Sequence, residues 1–166
     1  ANGGNRAGKD VSGMIVNWNL RDCWGRCVGS VSEFGGGRVV ETIVVDNGSR
    51  DGSAEMVASK FPEATLINND DNVGFARACN QGMKAAGGRY FFLLNNDAEL
   101  FEGALPALAG FLDAHPHAGA CGPRVVNADG TLQVFSKGYY PSIPRLAGQL
   151  FLPGSLGHPG GRSLGL

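Results

Sequence analysis

Three apolar runs in this chain end the same way. Residues 11–16 run into Asn17, Trp18 and Asn19, residues 42–45 into Asp46, Asn47, Gly48 and Ser49, and residues 90–94 into Asn95, Asn96 and Asp97. Between the runs lie segments with apolar residues at helical spacing, the first being Leu20, Cys23, Trp24, Cys27, Val28, Val31 and Phe34. Strands alternating with helices at this spacing build an α/β fold, a largely parallel sheet with right-handed crossovers and flanking helices. In such a sheet each strand delivers its carboxyl end to one edge, where open α/β sheets bind ligands. Independent turns have no reason to be rich in oxygen donors on one edge only, so the three ends together predict a site.

The run at residues 90–94, Tyr-Phe-Phe-Leu-Leu, shows no alternation and reads as a strand buried on both faces. It aims Asn95, Asn96 and Asp97 into the crevice. One carboxylate among neutral oxygen donors suits a hard divalent cation that completes its shell with water and a substrate diphosphate. The competing reading is a turn that caps the next helix, for which Asn and Asp are common residues.

The remaining segments fill in the same pattern. The loop after residues 42–45 is dense in capping side chains, and Ser53 or Asp51 is expected to cap a helix over residues 54–61. Asp46 is left over as an acceptor for a nucleobase imide or a ribose hydroxyl, the alternative being an Asx-turn carboxylate. Residues 64–67 form a third strand, and Gly74 opens a helix over 75–86 whose Ala76, Ala78, Cys79, Gly82 and Ala85 permit close packing on the sheet. Arg77 and Asn80 sit near its start on neighbouring positions of one face. A helix amino terminus with one guanidinium is a diphosphate contact, and otherwise Arg77 is a surface residue. A helix over 103–114, a strand over 118–126, a turn at 127–130 and a strand over 131–135 follow, the last pair as a hairpin. Residues 1–10 and 154–166 are expected to be poorly ordered, and from Gly138 onward Pro and Gly displace the hydrophobic period.

Composition closes several other routes. Net charge is −1 with 17% charged residues and no basic stripe, which argues against nucleic acid. No apolar run approaches the roughly 20 residues of a membrane span. Cys23, Cys27, Cys79 and Cys121 have no zinc-ligand spacing and read as core thiols of a reducing compartment. His115, His117 and His158 read as surface or loop residues. The triplet Gly35, Gly36, Gly37 fits neither phosphate-loop glycine pattern, which leaves a dinucleotide-dependent oxidoreductase without its fingerprint.

Four motifs in order, Val-Asn-Trp-Asn (16–19), Ile-Val-Val-Asp-Asn-Gly-Ser-Arg-Asp-Gly-Ser (43–53), Asn-Val-Gly-Phe-Ala-Arg-Ala-Cys-Asn-Gln-Gly (72–82) and Leu-Leu-Asn-Asn-Asp-Ala (93–98), resemble family 2 glycosyltransferases of the GT-A fold, and among them the bacterial rhamnosyltransferase-like subgroup. The resemblance covers residues 11–137 and implies a Rossmann-like nucleotide-diphospho-sugar-binding domain with a carboxyl-terminal hairpin. It implies that Asp97 matches the last Asp of an Asp-x-Asp metal motif, with Asn95 in the place of the first, and that the cation is Mn2+ or Mg2+. It further implies that Trp18 packs on the nucleobase and that Asp46 and Asn47 belong to the base- and ribose-reading loop. Asn17, Asn72, Gly74, Arg77, Asn80 and Asn96 then approach the donor, a UDP- or dTDP-linked sugar. The acceptor implied is a glycan or a lipid-linked sugar, handled in the cytoplasm or at the inner face of the cell membrane.

One departure limits the resemblance. The family's catalytic base lies in an acidic run after the hairpin, and here no Asp or Glu follows Asp129. Asp113 and Asp129 read as helix-end and turn residues. Lacking an initiating Met and stopping abruptly at Leu166, the chain is expected to be a donor-binding fragment, with residues 138–166 a truncated remainder and any membrane contact in the missing segment. It should bind a nucleotide and transfer poorly. The rival readings are a non-catalytic sugar-nucleotide-binding module and a nucleotidyltransferase, the latter wanting a basic Gly-rich loop that residues 17–21 do not supply.

Overall fold

The computed structural model describes residues 10–35 and 37–133. Four strands, β1 (Val11–Asn17), β2 (Val39–Asp46), β3 (Thr65–Asn68) and β4 (Tyr90–Asn95), alternate with four helices, α1 (Arg21–Phe34), α2 (Ser53–Lys60), α3 (Phe75–Ala85) and α4 (Ala104–Ala114). All strand pairs are parallel and the order is β3-β2-β1-β4. The α/β architecture anticipated from the alternation is therefore present.

Central β1 is buried on both faces, and its alternate residues feed different cores. Ile15 packs with Trp24, Cys27, Val28 and Val31 of α1, Val44 of β2 and Val57 of α2, all at most 1% exposed. Val11 joins Leu100 and, from α4, Leu105 and Ala109, with Tyr90 and Phe92 packed against them. On the opposite face Met14, Ile43 and Val45 meet Ala78 of α3. So α1, α2 and α4 share one face, and among the described residues α3 covers the other. Each fully buried aliphatic side chain contributes about 1.5–3 kcal/mol relative to exposure. Gly82 lets α3 sit close, since a Cβ there would lie 2.9 Å from Met14 Sδ.

The expectation that β4 is buried on both faces is corrected. Phe91 and Leu93 are 44% and 45% exposed, whereas Tyr90, Phe92 and Leu94 are half-buried. By register Phe91 and Leu93 lie beside Ser12 and Met14, on the α3 face. There α3 spans β1 and β2 and stops short of the edge strand. An unbroken apolar run does not reveal how far the covering helix reaches.

At the amino edge of the sheet, Arg38 and Arg89 pair with Asp10 and Asp113, and Tyr90 Oη donates to Asp113 at 2.9 Å. The bonds from Tyr90, Arg38 and Arg89 hold the exposed Asp113 carboxyl below the usual range, although desolvation opposes them. Asp113 thus ties α4 to the sheet at the edge opposite the three polar strand ends. The four cysteines are free thiols, Cys27 and Cys79 buried, Cys23 and Cys121 partly so.

The chain divides into two compact units at Pro123 and Arg124. In the second unit the predicted turn forms, with Gly130 N–H donating to Asn127 O at 2.9 Å and Asp129 accepting from Thr131. Among the described residues the predicted hairpin shows one antiparallel bridge, Val126 to Leu132, and residues 118–126 form no strand. Residues 134 and 135 of that hairpin, the tail 138–166 and residues 1–9 of the amino-terminal segment lie outside the described residues.

Candidate functional site

Register alone brings the polar strand ends together. Asn17 stands opposite Asp46, Asp46 opposite Asn68, and Asn95 opposite Val16. Asn17 Nδ2 donates to Asp46 Oδ1 at 2.9 Å and to Ser49 Oγ at 3.1 Å. Asp46 Oδ2 accepts the Ser49 N–H at 2.8 Å, and Asn96 Nδ2 donates to Asn17 Oδ1 at 3.0 Å. Asn17 and Asp46 are 0% and 2% exposed, so the partners satisfy groups that burial would otherwise penalise. The chain from Asn96 through Asn17 to Asp46 locks the ends of β4, β1 and β2 to one another.

Two loops knit over this floor. Ser49 Oγ accepts the Asn19 N–H at 2.9 Å, and Asn19 Oδ1 accepts the Arg50 N–H at 2.8 Å. Asn19 adopts a left-handed φ of 51°, which Asn tolerates. Asp51 accepts from Ser53 N–H at 3.0 Å, from the Ser53 hydroxyl and from Arg21 N–H at 3.0 Å, joining the starts of α2 and α1. Desolvation raises the Asp51 carboxyl, but these bonds outweigh it and hold the group below its ordinary value.

A second network is made of carboxamides. Asn69 and Gln81 bond reciprocally at 2.9 and 2.8 Å, and Asn69 Nδ2 also donates to Asn47 Oδ1 at 3.0 Å. Asn47 Nδ2 donates to Asn72 Oδ1 at 3.3 Å, and that oxygen accepts the Gly74 N–H at 2.9 Å. The ends of β2 and β3 are thereby fastened to α3, whose first residue follows Gly74 at φ 84°. Gly48, at φ 74°, lets the β2 loop run against the backbone of Asp70 and Asp71, so closely that a side chain in its place would collide with both.

The segment after β4 turns sharply, with Ala98 N–H donating to Asn95 O at 3.1 Å. Cys27 Sγ donates to the same carbonyl at 3.2 Å, and Ser30 Oγ accepts the Leu100 N–H at 2.9 Å. Desolvation first, then the charges of Asp97 and Glu99, push the Cys27 thiol up to about 12, so it keeps its proton. At the apex Asp97 is exposed, and no described residue forms a hydrogen bond or ion pair with its carboxylate. Among the described residues no three His, Cys, Asp or Glu side chains converge as a cation cage. One open carboxylate, two residues along the chain from the exposed Asn95 carboxamide, suits a cation that draws its other ligands from water and a diphosphate.

Residues 14–163 match the sequence model for glycosyl transferase family 2. The chain belongs to this family. It is 26% identical over 120 residues to the N-acetylglucosaminyl-diphospho-decaprenol L-rhamnosyltransferase of Mycobacterium tuberculosis, across 66% of this chain and 37% of that protein. With the succinoglycan biosynthesis protein ExoO of Rhizobium meliloti it shares 32% identity over 149 residues, across 86% of this chain and 42% of ExoO. The chain thus spans less than half the length of these relatives. The mannosyltransferase PcManGT from Pyrobaculum calidifontis, solved with GDP-Man and Mn2+, superposes at TM-score 0.52 and 24% identity, across 60% of this chain and 30% of that one. S. aureus TarS superposes at 0.56 and 19%, across 64% and 20%. At these identities the likeness establishes the GT-A fold.

Within this family 2 domain the candidate residues divide by what they touch. Asn17, Asp46, Asn47, Asn72 and Asn96 are bonded into the floor. Trp18, Gly74, Arg77, Asn80, Asn95 and Asp97 are exposed around it. The sequence assigned no site role to Asn69, Gln81 or Ser30, and marked Cys27 only as a core thiol. Asn69 and Gln81 are 12 apart in sequence, and Cys27 and Ser30 meet partners 68 and 70 residues away. No local pattern marks such contacts.

Proposed function

We propose that this chain is the donor-binding part of an inverting glycosyltransferase, holding a UDP- or dTDP-linked sugar across the carboxyl edge of the sheet for transfer to a glycan or lipid-linked acceptor. The observation that carries this reading is the contrast between two carboxylates at that edge. Asp46 is buried and fully engaged, whereas Asp97 stands open at the apex of its turn. Asp97, with the Asn95 carboxamide, is free to hold Mn2+ or Mg2+ against a diphosphate. When bound, the cation neutralises charge developing on the diphosphate leaving group.

The remaining exposed groups supply the other contacts. Trp18, 56% exposed beside the engaged Asn17, offers a ring face to the nucleobase. Asp46 and Asn47 shape the base- and ribose-reading loop from beneath. Arg77 and the amino terminus of α3 face the diphosphate as a guanidinium and a set of N–H donors. The Mycobacterium relative acts, by its name, on a diphospho-decaprenol sugar, which supports a lipid-linked acceptor. No helix among the described residues is long and apolar enough to cross a membrane.

No Asp or Glu follows Asp129, and Asp113 and Asp129 are occupied by Arg38, Arg89 and Thr131. On this reading the 166 residues bind donor but do not deprotonate an acceptor, which is the observation favouring a sugar-nucleotide-binding role for the chain by itself. Calorimetric titration of UDP and dTDP, with and without Mn2+, against the wild-type chain and Asp97→Ala tests the proposal. Binding that strengthens with Mn2+ only when Asp97 is present is the expected result. A folded chain that binds neither nucleotide overturns it.

A further inference from the structure

Among the described residues the open carboxylate of Asp97 has no bonding partner, so its place depends on what grips the turn it rides on. That grip comes from one helical turn of α1. Cys27 and Ser30 are three residues apart and so share a face of the helix. Cys27 Sγ donates to Asn95 O at 3.2 Å, just before Asp97, and Ser30 Oγ accepts from Leu100 N at 2.9 Å, just after it. Ser30 Oγ also donates to Cys27 O at 2.8 Å, which fixes the direction of its lone pair toward Leu100. The side chains of both residues are buried, Cys27 at 0% and Ser30 at 6% exposure. From the other side, Asn96 is held by Asn17. The exposed pair of Arg26 and Glu99 adds little, being open to solvent at both ends.

We infer that Cys27 and Ser30 are positioning residues that set the place of Asp97 at the site, an inference that rests on the donor-binding reading of that carboxylate. Cys27 occupies a position lined by Ile15, Trp24 and Val28, where a thiol packs as an apolar group and still supplies one proton to a carbonyl. Removing either side chain takes one hold from the segment between Asn95 and Leu100, leaving the β4 pairing and the Asn96–Asn17 bond at one end and the packing of Leu100 at the other. The apex carboxylate then samples more positions, and the complex that needs it in one position weakens. Groups that hold a metal ligand from behind typically cost about 10- to 100-fold in metal affinity when removed.

The test compares Cys27→Ala, Cys27→Ser, Ser30→Ala and Asp97→Ala with the wild-type chain. The readouts are UDP and dTDP affinity with and without Mn2+ and hydrogen exchange at the Leu100 amide. The expected result for Cys27→Ala and Ser30→Ala is a loss of about 10-fold or more in the Mn2+-dependent part of the affinity, with metal-free nucleotide affinity unchanged. Cys27→Ser, which keeps a donor, restores most of it, and Ser30→Ala removes protection at Leu100. If Leu100 loses protection while the Mn2+-dependent affinity stays at the wild-type level, Cys27 and Ser30 are structural only and the inference is overturned. Equal losses with and without Mn2+ overturn it as well. Should Asp97→Ala itself leave the Mn2+ effect unchanged, the donor-binding role of Asp97 fails and the inference falls with it, an outcome recognised by that variant alone.

Discussion

Asn17 and Asp46 face each other across the β1–β2 register, and the amide of one donates to the carboxylate of the other at 2.9 Å with both side chains buried. The second carboxylate oxygen accepts the Ser49 N–H at 2.8 Å. Asp46 thus presents acceptors to two donors fixed by strand and loop. Asp46→Asn keeps the shape but replaces one acceptor with an NH2 group that must face one of those donors. The expected cost is roughly 1–3 kcal/mol, that of leaving a buried polar group unsatisfied. Urea denaturation of the two proteins measures it, and equal midpoints would show that the contact carries no stability.

Gly48 and Gly37 have nearly the same backbone, φ 74° and 71°, in different surroundings. A Cβ on Gly48 would lie 2.9 Å from Asp71 Cα and 3.0 Å from Asp70 O, whereas one on Gly37 would meet nothing within 4 Å. Gly37→Ala should therefore lose only the cost of a left-handed alanine, about 1–2 kcal/mol. Gly48→Ala adds a backbone clash that separates the β2 and β3 loops, so its loss must be larger and nucleotide affinity should drop with it. Comparing the two variants by denaturation isolates the clash, and equal losses would remove it from the account.

Acid sensitivity follows from Asp51. Its carboxyl lies below the ordinary value of 3.8 because hydrogen bonds from Ser53 and Arg21 outweigh desolvation. A carboxyl depressed in the folded state stabilises that state above the unfolded pKa and loses this contribution as pH falls through the folded one. Thermal stability should hold above about pH 4 and decline below it. Asp113 and Asp129 are depressed in the same direction, so Asp51→Asn should flatten the acid decline without abolishing it. Melting temperatures from pH 2 to pH 6, about two units either side of the carboxyl range, provide the comparison.

Much of the site was legible because it is made of strand ends. Runs of Val, Ile and Leu that stop at Asn17, Asp46 and Asn95 carry both the strand and its polar terminus in contiguous residues, and parallel pairing then aligns them. The Asx-turn alternative for Asp46 was also sound as geometry, since Oδ2 accepts the Ser49 N–H while Oδ1 binds Asn17. Lateral extent was not legible. Phe91 and Leu93 look like core residues in sequence, yet α3 does not reach them, and helix reach depends on packing rather than on β4 itself. The Cys27 and Ser30 contacts were hidden for the same reason, since the residues they hold are remote in the chain.

The two tryptophans give the proposed nucleobase contact its own readout. Trp18 is 56% exposed at the carboxyl edge, and Trp24 is 0% exposed in the core with α1 and α2. Among the described residues Trp24 Nε1 has no hydrogen-bond partner. Trp24→Phe therefore removes an unsatisfied N–H along with some volume, so it should fold and cost less than the roughly 3–5 kcal/mol of Trp24→Ala. In that variant all tryptophan emission comes from Trp18. Stacking of a uracil or thymine ring on the exposed indole should quench that emission as UDP or dTDP is added, with the same midpoint that calorimetry gives. In Trp18→Phe the remaining Trp24 emission should stay constant through the titration, while affinity falls by the loss of indole area. If saturating nucleotide leaves Trp18 emission unchanged while calorimetry records binding, the base sits elsewhere, and the aromatic at this edge must be assigned to the sugar or the acceptor.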